Sequence, residues 1–259
     1  MSVTQGCYPI SYKEEITPGI FDFTLLIGPI AAQIKPGQFV HILPPGFTLR
    51  RPISICDVHV EKGALRLVFE VRGKGTSALA AFKAGDCFDM LLPLGNGFSV
   101  GDPAQKAVFV GGGIGVPPLL LAAKPYGENA AVILGFRNKN AVILADSFAL
   151  QKNTVRLCTD DGSLGQKGFT TQMLKEHLEQ HHCDIIYTCG PTPMIKGVAA
   201  LAHEKNIPCQ VSLEERMGCG VGACLVCACK VKAEQNGEKF VHVCKDGPVF
   251  DSREVLFSD

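Results

Sequence analysis

Residues 217–227 read MGCGVGACLVC, and a further cysteine follows at Cys244. Four residues separate Cys219 from Cys224 and two separate Cys224 from Cys227, which is the spacing with which plant-type ferredoxins bind a 2Fe-2S cluster. The interleaved glycines permit the positive φ angles that such a loop needs, and they let backbone N–H groups approach the sulfur atoms. The pattern predicts an iron–sulfur cluster with Cys219, Cys224, Cys227 and Cys244 as its ligands.

A structural zinc site is the alternative for this loop. Zinc ribbons use paired, short-spaced cysteines, whereas here three cysteines share one glycine-rich loop and the fourth lies 17 residues beyond Cys227. This spacing favours the cluster. Cys229 is a fifth thiol, two residues past Cys227, and strand alternation by itself does not exclude it as a ligand.

Length and composition limit the class of protein. The 259 residues suffice for one large domain or two to three small ones, with 46% hydrophobic and 19% charged residues. Lys+Arg and Asp+Glu both total 25, so we expect neither a nucleic acid nor a membrane surface as a partner. Without a long apolar run or a signal-peptide pattern at the start, the expected location is the cytoplasm.

The cysteines outside the four predicted ligands are scattered through apolar segments. A disulfide scaffold is typical of short secreted chains, so we expect most of these thiols to be small buried side chains. They are Cys7, Cys56, Cys87, Cys158, Cys183, Cys189, Cys209 and Cys229.

The first third of the chain is a series of short β-like runs broken by glycine and proline. In residues 65–72, leucine, phenylalanine and valine alternate with charged residues, the period-2 pattern of a strand with one buried face. Several such strands without a convincing helix predict a small antiparallel β-barrel. The predicted strands cover residues 20–27, 38–43, 51–58, 64–72 and 87–92.

The pattern changes after the turn at residues 95–97, where strands begin to alternate with helices. A buried strand at 107–110 leads through a glycine-rich turn into a helix near Pro117; strands at 131–136, 154–159 and 185–189 and helices at 171–182 and 192–205 follow. This alternation predicts an open parallel α/β sheet. The predicted domains are therefore a barrel at 1–98, an α/β domain at 99–209 and a small cysteine module at 210–259.

The cysteine module is predicted to contain two strands, at 228–231 and 240–244. The polar segment 232–239 between them reads as a hairpin, with Asn236-Gly237 at its turn.

Gly111, Gly112, Gly113 and Gly115 form the turn between the first α/β strand and its helix. Such a turn lets the backbone approach a dinucleotide diphosphate at the positive end of a helix. The motif departs from the usual dinucleotide fingerprint, because Pro118 stands where a last glycine would be. The dinucleotide fingerprint also expects an acidic residue for the ribose hydroxyl, but here the second strand runs into Arg137 and Lys139. These two residues could bind a 2′-phosphate or could simply be exposed surface residues. They do not decide between NAD and NADP.

Other turns are candidates for the same ligands. Cys189-Gly190-Pro191 follows an apolar strand at the carboxyl edge of the predicted sheet, where Cys189 would line the pocket, and the Asp/Gly turn at 159–163 ends another strand on that edge. In the barrel, Arg51-Pro52-Ile53-Ser54 offers a guanidinium and a hydroxyl for a pyrophosphate, and the turn at 73–76 offers backbone N–H groups.

Taken in order, the Arg51–Ser54 segment, the Gly111–Gly115 turn and Cys189-Gly190-Pro191 resemble the ferredoxin-NADP reductase superfamily. With the cysteine loop and the segment 243–250, the chain resembles one family within it, the electron-transfer subunits of class 1B dihydroorotate dehydrogenase. The resemblance covers about residues 8–250. It implies the four cluster ligands already named, NAD as the acceptor, and FAD held by Arg51, Pro52, Ile53, Ser54, Val68, Phe69, Glu70, Gly75 and Thr76.

One residue departs from the superfamily pattern. Ile53 replaces the usual aromatic residue of the flavin motif, so aromatic stacking on the flavin from that position is not available.

The same resemblance implies a function in pyrimidine biosynthesis. An FMN-containing dihydroorotate dehydrogenase catalytic subunit would pass electrons through the cluster and FAD to NAD⁺, in a heterotetramer of two copies of each subunit. No side chain is assigned as catalytic, and Cys189 is the candidate for positioning the nicotinamide. The alternatives are the same module serving a hydrogenase or a bifurcating NADH:ferredoxin system, a stand-alone ferredoxin reductase, and a non-catalytic zinc-binding protein.

Overall fold

The computed structural model describes residues 3–233 and 237–257. The chain divides into two compact units: unit 1 is Met1–Gly97, Glu214–Cys229 and Val241–Pro248, and unit 2 is Phe98–Leu213, Lys230–Phe240 and Val249–Asp259. The first boundary lies beside the one expected at residue 98. Segment 210–259 contributes to both units, and its treatment as a separate cluster domain stays a prediction.

Unit 1 contains a closed antiparallel barrel of six strands in the order β1-β2-β5-β4-β3-β6. The predicted barrel is thereby confirmed. The strands are β1 Thr4–Thr17, β2 Ile20–Leu26, β3 Phe39–Ile42, β4 Arg51–His59, β5 Ala64–Glu70 and β6 Cys87–Leu94. Two elements were not expected from the pattern: β1 itself, and the short helix α1, Lys74–Ala80, which follows β5.

Aromatic packing fills the barrel. Leu65, Leu67 and Phe69 are buried as their alternation in β5 predicts. The Phe69 ring stacks on Phe23 with centroids 5.5 Å apart, and Phe88 packs against Phe23 at 5.2 Å. Because three strands contribute these rings, the barrel core closes around them.

Unit 2 contains a seven-stranded sheet in the order β10-β9-β8-β7-β11-β12-β15. All neighbouring strands are parallel except β15, which pairs antiparallel with β12. The open α/β fold is thus confirmed. In chain order its elements are β7 Ala107–Gly112, α2 Pro117–Ala123, β8 Ala130–Phe136, α3 Ala145–Leu150, β9 Thr154–Thr159, β10 Gln166–Lys167, α4 Thr170–Gln180, β11 Ile185–Cys189, α5 Thr192–Glu204, β12 Cys209–Ser212 and β15 Val249–Asp251. Two further strands, β13 Ala228–Lys232 and β14 Glu238–His242, have residues in both units.

The sheet extends beyond the segment from which it was predicted. β12 pairs with β11 through Ile186 and Cys209, and β15 closes the edge through Val211 and Phe250. Two strands after residue 208 therefore belong to the α/β sheet.

The predicted hairpin strands correspond to β13 and β14, which form a two-stranded sheet. β14 begins two residues before the expected start at Phe240. Asn236 of the expected turn lies outside the described residues.

The cysteines outside the loop are mostly buried, as expected. Cys7 and Cys87 are the exception, since these two exposed residues form a disulfide between β1 and β6 with a Cα–Cα distance of 5.6 Å. They are adjacent because Tyr8 pairs with Phe88 in the β1–β6 ladder. Cys229 is half-buried, and the buried free thiols are Cys56, Cys158, Cys183, Cys189 and Cys209.

Within the described part of the chain, no helix has both the length and the apolar character needed to cross a bilayer.

The Cys7–Cys87 disulfide should stabilise unit 1. We expect Cys7→Ser and Cys87→Ser each to lower the free energy of unfolding by about 2–4 kcal/mol, because each releases the same cross-link from the unfolded chain. Chemical denaturation of the oxidised protein measures this. The double variant should lose no more than either single one; losses that add would show that the two thiols act independently.

Candidate functional site

The four cysteines of the predicted cluster site lie together in unit 1, in two pairs. The amide of Cys219 lies 3.4 Å from the Cys224 sulfur, and the amide of Cys224 lies 3.4 Å from the Cys219 sulfur. The amide of Cys244 likewise donates to the Cys227 sulfur at 3.4 Å. The fold therefore brings the distant fourth cysteine to the loop that holds the other three.

Backbone N–H groups surround the sulfur atoms. The amides of Val221 and Ala223 donate to the Cys219 sulfur at 3.4 and 3.2 Å, and the amide of Gly222 donates to the Cys244 sulfur at 3.1 Å. Gly220 and Gly222 have φ angles of +75° and +82°, which turn these amides inward. The expected role of the interleaved glycines is thus visible in the backbone.

These contacts make the thiols unequal. Burial by itself raises the pKa of the Cys219 thiol. Hydrogen bonds from the amides of Val221, Cys224 and Ala223 lower it by more than burial raises it, so that the pKa falls to about 6. Burial and the adjacent Cys227 raise the pKa of Cys244 to about 12. Cys219 is therefore the thiol that the loop prepares as a thiolate, the form that binds metal.

The segment that carries Cys244 is attached to the chain just after β6. The side-chain amide of Asn96 donates to the carbonyls of Lys245 and Asp246 at 3.0 and 3.1 Å. A Cβ added at Gly222 would lie 2.6 Å from Lys245 Cδ, so the two cysteine-bearing segments pack closely. The position of Cys244 relative to the loop is thus fixed by contacts on both sides.

His41 of β3 is a second attachment, one that the sequence reasoning did not identify. Its side chain is 0% exposed and lies against Gly220, where an added Cβ would be 2.5 Å from Nδ1. Neither ring nitrogen makes a hydrogen bond within the described residues. Burial lowers the pKa of His41 to about 4, although the nearby main chain of Cys219 opposes this shift. The signal in the sequence was a histidine between Val40 and Ile42 in an otherwise apolar strand.

The donor set fits a cluster with two iron atoms. In residues 3–233 and 237–257, no three Cys, His, Asp or Glu side chains are arranged to hold a single metal ion. The four sulfurs instead form two pairs, surrounded by N–H donors, and cysteine sulfurs with such hydrogen bonds are the ordinary environment of a 2Fe-2S centre. Cys229 has its pKa raised to about 11 by burial and neighbouring acidic groups, and it makes no contact of this kind among the described hydrogen bonds.

Arg51 and Gly75 meet in unit 1. The Arg51 guanidinium lies where a side chain of residue 75 would be: an added Cβ would stand 2.2 Å from Nε. It donates to the Leu49 carbonyl at 2.7 Å and lies over the Phe47 ring, 5.1 Å from the centroid. Two of the residues expected to bind FAD are therefore adjacent, with a guanidinium held beside the first turn of α1, and Phe47 is an aromatic neighbour that the sequence reasoning missed.

The other residues expected to bind FAD have varied surroundings. Val68 and Phe69 are both buried, with the Phe69 ring in the barrel core, and the Glu70 carboxylate accepts from Arg72 Nε at 2.8 Å. The Thr76 hydroxyl accepts from the amides of Arg72 and Gly73 at 2.9 and 3.2 Å. Pro52, Ile53 and Ser54 follow Arg51 in β4, and Ile53 is buried.

In unit 2 the predicted nucleotide residues converge at the carboxyl ends of β7 and β11. Cys189 pairs with Gly111 in register. A Cβ at Gly115 would lie 2.5 Å from Gly190 Cα, and one at Gly112 would lie 3.0 Å from Pro191 Cδ. The two turns therefore touch backbone to backbone, and Gly113 has a φ of +53°. Cys189 is only 2% exposed.

The turn at 159–163 packs beside the end of β8. Ser163 Oγ accepts from the Lys139 amide at 2.8 Å and donates to Asp161 at 2.6 Å. Hydrogen bonds from Ser163 lower the pKa of Asp161. The side chains of Arg137 and Lys139 are exposed, which both interpretations allow.

Residues 214–256 match the model of the iron-sulfur cluster binding domain of dihydroorotate dehydrogenase B. The dihydroorotate dehydrogenase B (NAD(+)) electron transfer subunit of Streptococcus mutans is 43% identical over 94% of this chain and 95% of its own length. The chain belongs to this family. The corresponding subunit of Bacillus mycoides is 41% identical over 94% of this chain and 95% of its own.

Solved structures agree with this family in fold. An NADH-dependent reduced ferredoxin-NADP oxidoreductase, a structure from flavin-based electron bifurcation, matches with a TM-score of 0.84 and 33% identity over 97% of this chain and 90% of its own. An Amycolatopsis cytochrome P450 reductase matches with a TM-score of 0.67 and 22% identity over 78% of this chain and 67% of its own, which shows the fold alone. The expected cofactor set of FAD, a 2Fe-2S cluster and NAD is confirmed by these findings, as is an oxidoreductase subunit with a catalytic partner.

The contact between Arg51 and Gly75 should influence the affinity for FAD. Gly75→Ala should displace the flexible guanidinium while leaving the barrel folded, so that FAD binds more weakly by about 1.5–3 kcal/mol, roughly tenfold or more in Kd. Flavin fluorescence titration of the apoprotein measures this.

Gly73→Ala is the matched control, because a Cβ there meets no atom within 4 Å. It should bind FAD as the parent chain does. Equal weakening by both substitutions would show that the turn, and not the position of Arg51, limits FAD binding.

Proposed function

We propose that this chain carries electrons from a dihydroorotate-oxidising catalytic subunit to NAD⁺. This transfer would belong to the dihydroorotate oxidation step of pyrimidine biosynthesis. The observation that carries the proposal is the grouping of four cysteines into two pairs, Cys219–Cys224 and Cys227–Cys244. These cysteines belong to the same compact unit as the barrel that carries Arg51. The supporting similarity is to proteins named as electron transfer subunits of dihydroorotate dehydrogenase B.

Cys219, Cys224, Cys227 and Cys244 would hold the cluster. The Cys219–Cys224 pair would bind one iron atom and the Cys227–Cys244 pair the other, with the amides of residues 221–223 stabilising the negative charge on sulfur. The two cysteine segments hold these pairs in place through Gly222 and Lys245.

A flavin is needed because a 2Fe-2S cluster carries one electron at a time and a nicotinamide accepts two as hydride. Arg51, Pro52, Ile53, Ser54 and the main chains of Val68, Phe69 and Glu70 would bind FAD, together with Gly75 and Thr76. The Arg51 guanidinium supplies charge-assisted hydrogen bonds for its pyrophosphate. The protein's task is to orient the cofactors and set their potentials.

For NAD, the backbone of Gly111, Gly112, Gly113 and Gly115 would receive the diphosphate, next to the start of α2. Cys189, Gly190 and Pro191, at the same sheet edge, would shape the nicotinamide site. Cys189 would help to position the nicotinamide from this edge, and no catalytic acid or base is assigned.

The partner would be an FMN-containing catalytic subunit, in a cytoplasmic heterotetramer of two copies of each chain. Apolar side chains of the cysteine loop support docking there: Val221, Leu225 and Val226 are 47%, 61% and 56% exposed. Exposed apolar residues in one loop are typical of a protein interface. The predicted docking face is therefore the surface of residues 219–227.

A second candidate function is electron transfer within an electron-bifurcating oxidoreductase, as in the structure that is 33% identical to this chain. The higher identity of the dihydroorotate dehydrogenase subunits, 43% and 41%, favours the first candidate. Copurification from the native host distinguishes the two. Recovery with an FMN protein that converts dihydroorotate supports the proposal, whereas recovery with a ferredoxin-linked oxidoreductase or a hydrogenase subunit would end it.

The loop and the flavin site should be separable by mutation. Cys224→Ala should abolish electron exchange with the partner and leave reduction of FAD by NADH largely intact, because Cys224 belongs to the loop and contacts no residue of the Arg51 site in the described hydrogen bonds. Stopped-flow flavin absorbance and iron content measure the two effects.

Cys229→Ala is the control, since this nearby thiol should have no effect on either activity or on iron content. Equal loss of both activities in Cys224→Ala would mean that the loop holds the fold together, and its role as an electron carrier would be unsupported.

A further inference from the structure

His41 is out of place in its surroundings. It lies in the middle of β3, where Val40 and Ile42 are fully buried, and it is itself fully buried. Neither Nδ1 nor Nε2 has a hydrogen-bond partner among the described residues. A buried polar group without a partner costs about 1–3 kcal/mol, so an apolar side chain would serve packing better at this position.

The Nδ1 edge of the imidazole lies against the cysteine loop. Gly220 lies against the ring, since an added Cβ would be 2.5 Å from Nδ1 and 3.3 Å from Cγ. Gly220 is flanked by Cys219 and by Val221, whose amide donates to the Cys219 sulfur. The ring therefore supports the part of the backbone that directs N–H groups at sulfur.

The backbone of His41 belongs to the other proposed site. It pairs with Pro52 in β4, and its carbonyl accepts from Arg50 Nη1 at 3.2 Å. Arg50 and Pro52 flank Arg51. A single residue of β3 thus contacts both the strand that carries Arg51 and the loop that carries Cys219.

The geometry points to His41 as a positioning residue for the iron–sulfur cluster: its ring supports the Cys219–Gly220 backbone, and with it the N–H groups that are directed at the Cys219 sulfur. This inference rests on the proposed cluster ligands. Hydrogen bonds toward cluster sulfur favour the reduced, more negative state and raise the reduction potential.

The test uses the complete chain with FAD and cluster bound, and it measures the cluster's reduction potential by EPR-monitored titration. His41→Leu replaces the ring with an apolar side chain, so it should weaken the support of these amides. We expect it to lower the reduced-to-oxidised ratio about tenfold at a given potential, a shift of about 59 mV for one electron. His41→Gln keeps a polar group that can contact the Cys219–Gly220 main chain, so it should recover most of the difference. The FAD potential serves as the internal reference.

Several results would overturn the inference. One is a cluster potential that His41→Leu leaves unchanged; another is equal shifts in His41→Leu and His41→Gln, which would indicate packing alone. Loss of the cluster from both variants with FAD retained would count against it in the same way. Failure of the proposed function is distinguishable, because the parent chain would then show no 2Fe-2S EPR signal, or one that survives Cys224→Ala.

Discussion

The packing of the cysteine loop against the barrel is the interaction on which the proposed chemistry depends. A glycine-rich loop with sulfur ligands has little apolar surface to fix its shape, so its conformation must come from its own amides and from a rigid support. Here the support is β3 and the end of β6, through His41 against Gly220 and Asn96 bonded to Lys245 and Asp246. The same barrel carries Arg51, and so a single rigid element supports both the proposed cluster and flavin sites.

The path of the chain follows from this arrangement. After β12 the chain leaves the α/β sheet and contributes Glu214–Cys229 to unit 1, and after Pro248 it returns to the sheet as β15. The cysteines therefore lie in two segments of unit 1, Glu214–Cys229 and Val241–Pro248, which are separated along the chain by residues of unit 2. Such short segments could not build a core of their own, so their conformation depends on packing within unit 1.

Much of the fold was predictable from local pattern. Leu65, Leu67 and Phe69 show the period of a half-buried strand, and the alternation of strands and helices after residue 107 predicts the parallel sheet. β1 was missed because Pro9 and the charged run at 13–15 obscure its period. β12 was missed because a four-residue strand is recognisable only from its pairing with β11. The Cys7–Cys87 disulfide likewise depends on strand pairing and not on sequence spacing.

The candidate site also has features that are predictable from local sequence and features that are not. Cysteine spacing and glycine turns are local, so the sequence identified them, whereas the packing of His41 on Gly220 and of Arg51 on Gly75 joins distant segments and emerges only in three dimensions. The most direct measurement of the central claim is anaerobic mixing of this chain with the dihydroorotate-oxidising subunit, dihydroorotate and NAD⁺, followed by NADH absorbance. The account predicts NADH formation that stops when this chain is omitted. NADH formed at the same rate without this chain, or none formed in the complete mixture, would contradict it.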